Sequence, residues 1–124
     1  MTTLEDFAAR LDLTENGERD FAATAELPED LSVFAGHFPG NPILPGVVYI
    51  FIAERLIDRF SGERFTLKQL KRSKFYQPSL PGRVMKIDGH LERNAAEPRS
   101  VVAGVVFSDG DGRKICSLKM ILEK

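Results

Sequence analysis

The chain is poor in cysteine. Cys116 stands alone, so no internal disulfide can form. No basic-then-apolar leader opens the sequence, and these two features together lead to the expectation of a cytoplasmic protein. Net charge is also lacking: 17 Lys and Arg stand against 18 Asp and Glu, a balance of −1. Such a chain has no global electrostatic pull toward nucleic acid or an anionic membrane, so any charged partner must be met locally. The longest apolar run, Ile43 to Ala53, contains Pro45 and Gly46 and falls well short of the ~20 residues that a membrane helix needs. Internal repeats, low-complexity tracts and metal-ligand spacings are missing too, so no metal and no cofactor is expected. At 124 residues the chain fits one domain, residues 1–124, able to bury roughly two-thirds of its unfolded surface.

What the chain does have is concentrated in residues 36–46, Gly-His-Phe-Pro-Gly-Asn-Pro-Ile-Leu-Pro-Gly. Proline fixes φ and glycine opens conformations closed to other residues, so this segment can hold His37 in one place. So much rigid backbone around one titratable side chain suggests a site.

Around it, the pattern predicts a short N-terminal helix over Leu4, Phe7, Ala8 and Leu11, capped from the Thr2-Thr3 hydroxyls, and a strand from Glu18 to Leu27. Val47 to Ile52 is β-branched and aromatic, which by local propensity alone reads as strand. Ala53, Leu56, Ile57 and Phe60 nevertheless continue at helical spacing and Gly62 supplies a stop, so a helix is expected from Val47 onward. A helix apolar on all sides belongs in a core, wrapped by a curled sheet. Four strands should follow: Phe65 to Phe75, Arg83 to Arg93, Ser100 to Ser108 and Lys114 to Leu122. Turns at Gln77 to Gly82, Asn94 to Pro98 and Asp109 to Gly112 would separate them.

Residues 36–46 resemble the G-H-F-P-G-x-P-x-x-P-G signature of the hot-dog-fold 3-hydroxyacyl-[acyl carrier protein] dehydratases. Lys74 to Gly82 is similar to that family's R-F-x-x-P-V-x-P-G segment, and Asp111 to Cys116 to its final hairpin. The chain lacks the usual N-terminal L-P-H-R-x-P-F segment and is short, as are the compact dehydratase-like proteins encoded with pigment and aryl-polyene synthesis. The resemblance implies an α+β hot-dog fold, an antiparallel sheet around a central helix, a homodimer or higher homo-oligomer, and a carrier-linked acyl substrate. It also implies that His37 is catalytic. The family's second catalytic residue, a Glu or Asp fourteen residues after the histidine, is absent, because that position is Phe51. The nearest carboxylate is Glu54, about 4.5 Å further along a helix axis and about 60° around it.

Dehydration needs a base for the α-proton, a donor to the thioester oxygen and an acid for the departing hydroxyl. His37 suits the first task, since imidazole titrates near working pH. Gly46, at a helix start, offers its backbone N–H for the second, and Glu54 is the candidate for the third, donated from the partner subunit. Phe38, Gly46, Val47 and Phe51 are expected to contact substrate. Tyr49, Phe51 and Tyr76 read as core or tunnel lining, Cys116 as a small buried hydrophobe, and His90 as structural. Lys68, Lys71, Arg72 and Lys74 form a cluster on which an acidic acyl carrier protein could dock, or simply a solvated strand face. Rival functions are an enoyl thioester isomerase, which needs no leaving-group acid, and a non-catalytic acyl-carrier partner subunit.

Overall fold

The computed structural model describes residues 1–34 and 43–124. His37 and Phe38 therefore lie outside the described residues. Two helices, α1 (Leu4–Ala9) and α2 (Gly46–Ser61), accompany six strands: β1 (Asp12–Glu15), β2 (Asp20–Glu26), β3 (Thr66–Phe75), β4 (Val84–Asn94), β5 (Glu97–Asp109) and β6 (Lys114–Glu123). The strands make one antiparallel sheet in the order β1-β2-β4-β5-β6-β3. One central helix against such a sheet is the α+β arrangement implied by the sequence resemblance. No helix among the described residues is long and apolar enough to cross a membrane.

Helix α2 forms where strand propensity alone would predict β, because its run pays back through burial. Val48, Tyr49, Ile52, Ala53, Leu56 and Ile57 fall at helical spacing and pack on the inner face of the sheet. Pro45 enters the helix with φ −64°, and Gly62 leaves it in the left-handed region at φ 73°, its N–H donating to the Asp58 carbonyl. Arg59, in the last turn, donates to the carbonyls of Ala8 and Leu11 at 3.1 and 3.0 Å, tying the C-terminal end of α1 to α2. Thr3 caps α1 by accepting the Asp6 N–H.

Three expectations need correction. The helix is not covered on every side: Val47 is 70% exposed and Ile50, Phe51 and Glu54 are half-buried, so one stripe of α2 stays open. Strand β1 was not foreseen, because its four residues show no apolar alternation; it pairs with β2 and sets only Leu13 against the core. The Asn94 to Pro98 turn is tighter than expected, since β4 runs through Asn94 and β5 begins at Glu97. The Asn94 side chain accepts the Ala96 N–H, closing the turn in two residues.

Strand β3 leaves α2 for the far edge of the sheet, so residues 76–83 must carry the chain back across to β4. This crossing is pinned to the β5–β6 turn: Gln77 donates to Asp109 and to the Lys114 carbonyl at 3.1 and 3.2 Å. Asp109 accepts the Arg113 and Asp111 N–H groups at 2.9 Å each. The Arg113 N–H foremost, with Gln77 helping, holds this carboxyl below its usual range.

At the other side of the sheet, Phe21 of β2 lies over Gly89 of β4 and tilts against Phe60 of α2, ring centroids 5.1 Å apart. A side-chain carbon on Gly89 would stand 2.1 Å from Phe21 Cζ, an impossible contact, so only glycine fits beneath the ring. Gly89→Ala should therefore destabilise the fold by roughly 1–3 kcal/mol in urea denaturation. The same substitution in a Phe21→Leu background should cost much less, and additive losses would show that the ring is not the obstruction.

Candidate active site

The site is built around the N-terminus of α2. The backbone N–H groups of a helix's first turn have no intrahelical acceptor, and among the described residues those of Gly46 and Val47 meet none. Their position is fixed from the crossing segment, where Ser79 takes part in two contacts: its carbonyl accepts the Leu44 N–H at 3.2 Å, and its side chain hydrogen-bonds the Tyr49 hydroxyl. Both Tyr49 and Ser79 are buried. Burial foremost pushes the Tyr49 hydroxyl above its ordinary pKa, so it stays protonated. Tyr49 stands edge-on to Phe107 at 5.1 Å and tilted against Phe75 at 5.8 Å.

Along the open stripe of α2 come Val47, Phe51 and then Glu54. Phe51 is helical and half-buried, with the Arg55 guanidinium 4.7 Å from its ring centre. Glu54 has neither a hydrogen bond nor an ion pair among the described residues. Burial is the largest influence on its carboxyl and raises its pKa; Arg55 works against the rise and Asp58 with it. A half-buried carboxyl with no partner among the described residues thus lies one helical turn beyond Phe51, where the sequence resemblance implies an acid.

Of the expected core or tunnel-lining residues, Tyr49 is buried and Phe51 half-buried, but Tyr76 is about half exposed, with Lys114 over its ring at 6.0 Å. It follows the end of β3, where no element covers it. Cys116 is fully buried, and burial pushes its thiol up to about 11. His90 sits on the outer face of the sheet between Asp20 and Glu92, its ring nitrogens 2.7 and 2.8 Å from their carboxylates. Glu92 first and Asp20 second raise its pKa. The bond to Asp20 joins β4 to β2, and the bond to Glu92 lies within β4.

The four expected docking cations are all exposed on β3. Two register shifts, between Leu67 and Gln69 and between Leu70 and Arg72, place Lys68 and Lys71 at irregularities of the strand. Lys68 pairs with Glu123 at 3.7 Å. Arg72 and Lys74 share the outer face with Lys119, which lies opposite Arg72 on β6. Sequence reading missed Lys119, because only strand register brings it there. It also missed Ser79 and Phe75, whose only signal was their place in the segment after β3.

A family model described as ApeI-like, ApeI dehydratase, matches residues 13–111. The chain belongs to the ApeI-like dehydratase family. It is 31% identical over 96 residues to the 3-hydroxyacyl-[acyl-carrier-protein] dehydratase FabZ of Latilactobacillus sakei, covering 72% of this chain and 66% of that one. To FabZ of Lactococcus lactis it is 28% identical over 121 residues, covering 89% and 77%. Against other FabZ relatives the match spans as little as 52% of their length, as in Enterococcus faecalis. Among solved structures, the dehydratase heterocomplex ApeI:P of Xenorhabdus doucetiae superposes with a TM-score of 0.79 at 18% identity, covering 91% of this chain and 95% of that one. The PaaI protein of E. coli superposes at 0.72 and 10% identity, covering 98% and 89%. These likenesses establish the hot-dog fold.

The Tyr49–Ser79 bond gives this ApeI-like chain a direct stability test. Tyr49→Phe leaves the buried Ser79 hydroxyl unpartnered and should cost about 1–3 kcal/mol in denaturation. The double variant Tyr49→Phe, Ser79→Ala should recover much of that loss. A double variant as weak as the sum of the two singles would show that the hydroxyls act independently.

Proposed function

We propose that this chain is a 3-hydroxyacyl-[acyl carrier protein] dehydratase, removing water from a 3-hydroxyacyl thioester to give a trans-2-enoyl thioester. The observation that carries the reading is Glu54, a half-buried carboxyl with raised pKa and no partner among the described residues, on the open stripe of the helix entered from the 36–46 motif. Membership of a dehydratase family and likeness to the FabZ relatives support the reaction class.

In this mechanism His37 takes the proton from carbon 2 of the acyl group. Negative charge moves onto the thioester oxygen, held by the Gly46 N–H and the positive end of the α2 dipole. The electron pair then forms the double bond between carbons 2 and 3 as the bond from carbon 3 to its hydroxyl breaks. Glu54 gives its proton to that hydroxyl, which departs as water. The proton on His37 passes through water to Glu54, restoring both groups. Val47, Phe51 and Phe38 would line the acyl path.

The site is completed in a homodimer. Strand β3 is paired on one side only, and the inner-face side chains Leu70 and Phe75 stay exposed together with Val47. A second copy pairing along β3 would cover them and bring Glu54 of one subunit within about 7 Å of the other's His37, close enough to share a substrate. The outer-face cations Arg72, Lys74 and Lys119, with the neighbouring Lys68 and Lys71, would meet an acidic carrier protein arriving at this edge. The loss of the acid at Phe51 favours a second reading, thioester isomerisation, in which no hydroxyl leaves.

His37→Ala should lower dehydration at least about a hundredfold with the fold intact. Glu54→Gln should do the same, while isomerisation of an enoyl thioester survives. Glu54 works protonated, and its pKa is raised, so the wild-type rate should fall with increasing pH along a limb lying above the ordinary carboxylate value of about 4.3. That limb should vanish in Glu54→Gln. A variant keeping both rate and limb would transfer the chemistry to isomerisation or carrier binding.

Reversal of Lys71 and Arg72 to Glu should reduce kcat/KM for a carrier-linked substrate about tenfold or more, and much less for a pantetheine-linked one. Equal losses on the two substrates would place the effect inside the site rather than at a docking surface.

A further inference from the structure

We propose that Phe75 decides which acyl chains this site accepts, by closing the space beside carbon 2 of the thioester to any branch. This rests on the acyl-thioester reading above. The ring points end-on at the helix N-terminus: a side-chain carbon on Gly46 would stand 3.1 Å from Phe75 Cζ and 3.5 and 3.7 Å from the two Cε atoms. That first distance is tighter than ordinary van der Waals contact, so Gly46 and the ring are matched in size.

The ring is also backed. Tyr49 lies against it at 5.8 Å, and Tyr49 is itself held by Phe107 at 5.1 Å and by the Ser79 hydroxyl. Phe75 therefore cannot retreat toward the core, although 52% of it remains exposed on the other side. Its position on β3 opposite the buried Cys116 fixes the backbone from which it projects.

A thioester oxygen accepting the Gly46 N–H lies about 2.9 Å from that nitrogen, and carbon 2 is two bonds from the oxygen. A methyl group on carbon 2 has the size of the Cβ that Gly46 lacks, and turned toward the sheet it meets the same ring. An unbranched chain presents only hydrogens there and slides along the ring face. One methylene in a hydrophobic pocket is worth about 10- to 200-fold, and a ring still half exposed sets the expected selectivity near the lower end of that range.

The experiment compares kcat/KM for 3-hydroxybutanoyl-pantetheine and its 2-methyl analogue in wild type, Phe75→Ala and Phe75→Leu. The affinities of the matching non-hydrolysable amides are measured alongside by calorimetry. Wild type should prefer the unbranched compound at least about tenfold, Phe75→Ala should shrink the preference to about threefold or less, and Phe75→Leu should fall between. Because the ring is half exposed, the Leu variant keeps the test intact should the Ala variant not fold. A preference absent in wild type, or unchanged when the ring is removed, overturns the role of Phe75 while the acyl site stands. If neither amide binds wild type, the acyl-thioester reading itself fails and takes this inference with it.

Discussion

Ser79 is the residue on which the geometry of the helix entrance depends. Its carbonyl takes the Leu44 N–H and its hydroxyl meets Tyr49, so one residue of the crossing segment grips the chain just before α2 and again in the first turn. The crossing segment is in turn anchored by Gln77 to the β5–β6 turn. A continuous set of hydrogen bonds thus runs from the sheet to the N-terminus of α2, where the Gly46 N–H must be held if it is to polarise a carbonyl without reorganising. Loss of the Tyr49 hydroxyl would loosen this set at its buried centre and leave the Ser79 hydroxyl without that partner.

Most of the fold was legible because its strands alternate cleanly. In β5 and β6, buried Val101, Ala103, Val105, Phe107, Leu118, Met120 and Leu122 alternate with more exposed neighbours, the pattern of a sheet with one covered face. Helix α2 was legible by weighing Gly62, the later apolar spacing and the family resemblance against the strand preference of its first turns. One edge element escaped for a physical reason: β1 is short, polar and paired with a neighbouring strand on one side, and a solvated edge leaves no hydrophobic period to read. For the site, Gly46 and Glu54 could be named from the motif and its spacing. The contacts of Phe75, Ser79 and Lys119 depend on register between segments distant in sequence, which no local pattern carries.

The open stripe of α2 corrects the idea of a helix buried all round and also explains its composition. Val47 and Phe51 keep that stripe apolar up to Glu54, after which Arg55 and Asp58 turn it polar. An apolar strip ending in one carboxyl, beside a strand edge with unpaired backbone, leaves two kinds of unmet demand on one side of the molecule. In the homodimer proposed above, one partner pairing along β3 would meet both.

If Glu54 is the acid, as proposed, Phe51 at the family's acid position bears on how that carboxyl is set. Residues three apart on a helix are neighbours, so an acid at position 51 would sit beside Glu54 and compete for the same proton. Phe51 instead carries no charge and holds the Arg55 guanidinium over its own ring, 4.7 Å from the centre. Burial outweighs the cation next in sequence and raises the Glu54 carboxyl. Restoring the family pattern with Phe51→Glu would accordingly place two interacting carboxyls one turn apart rather than add a second independent acid.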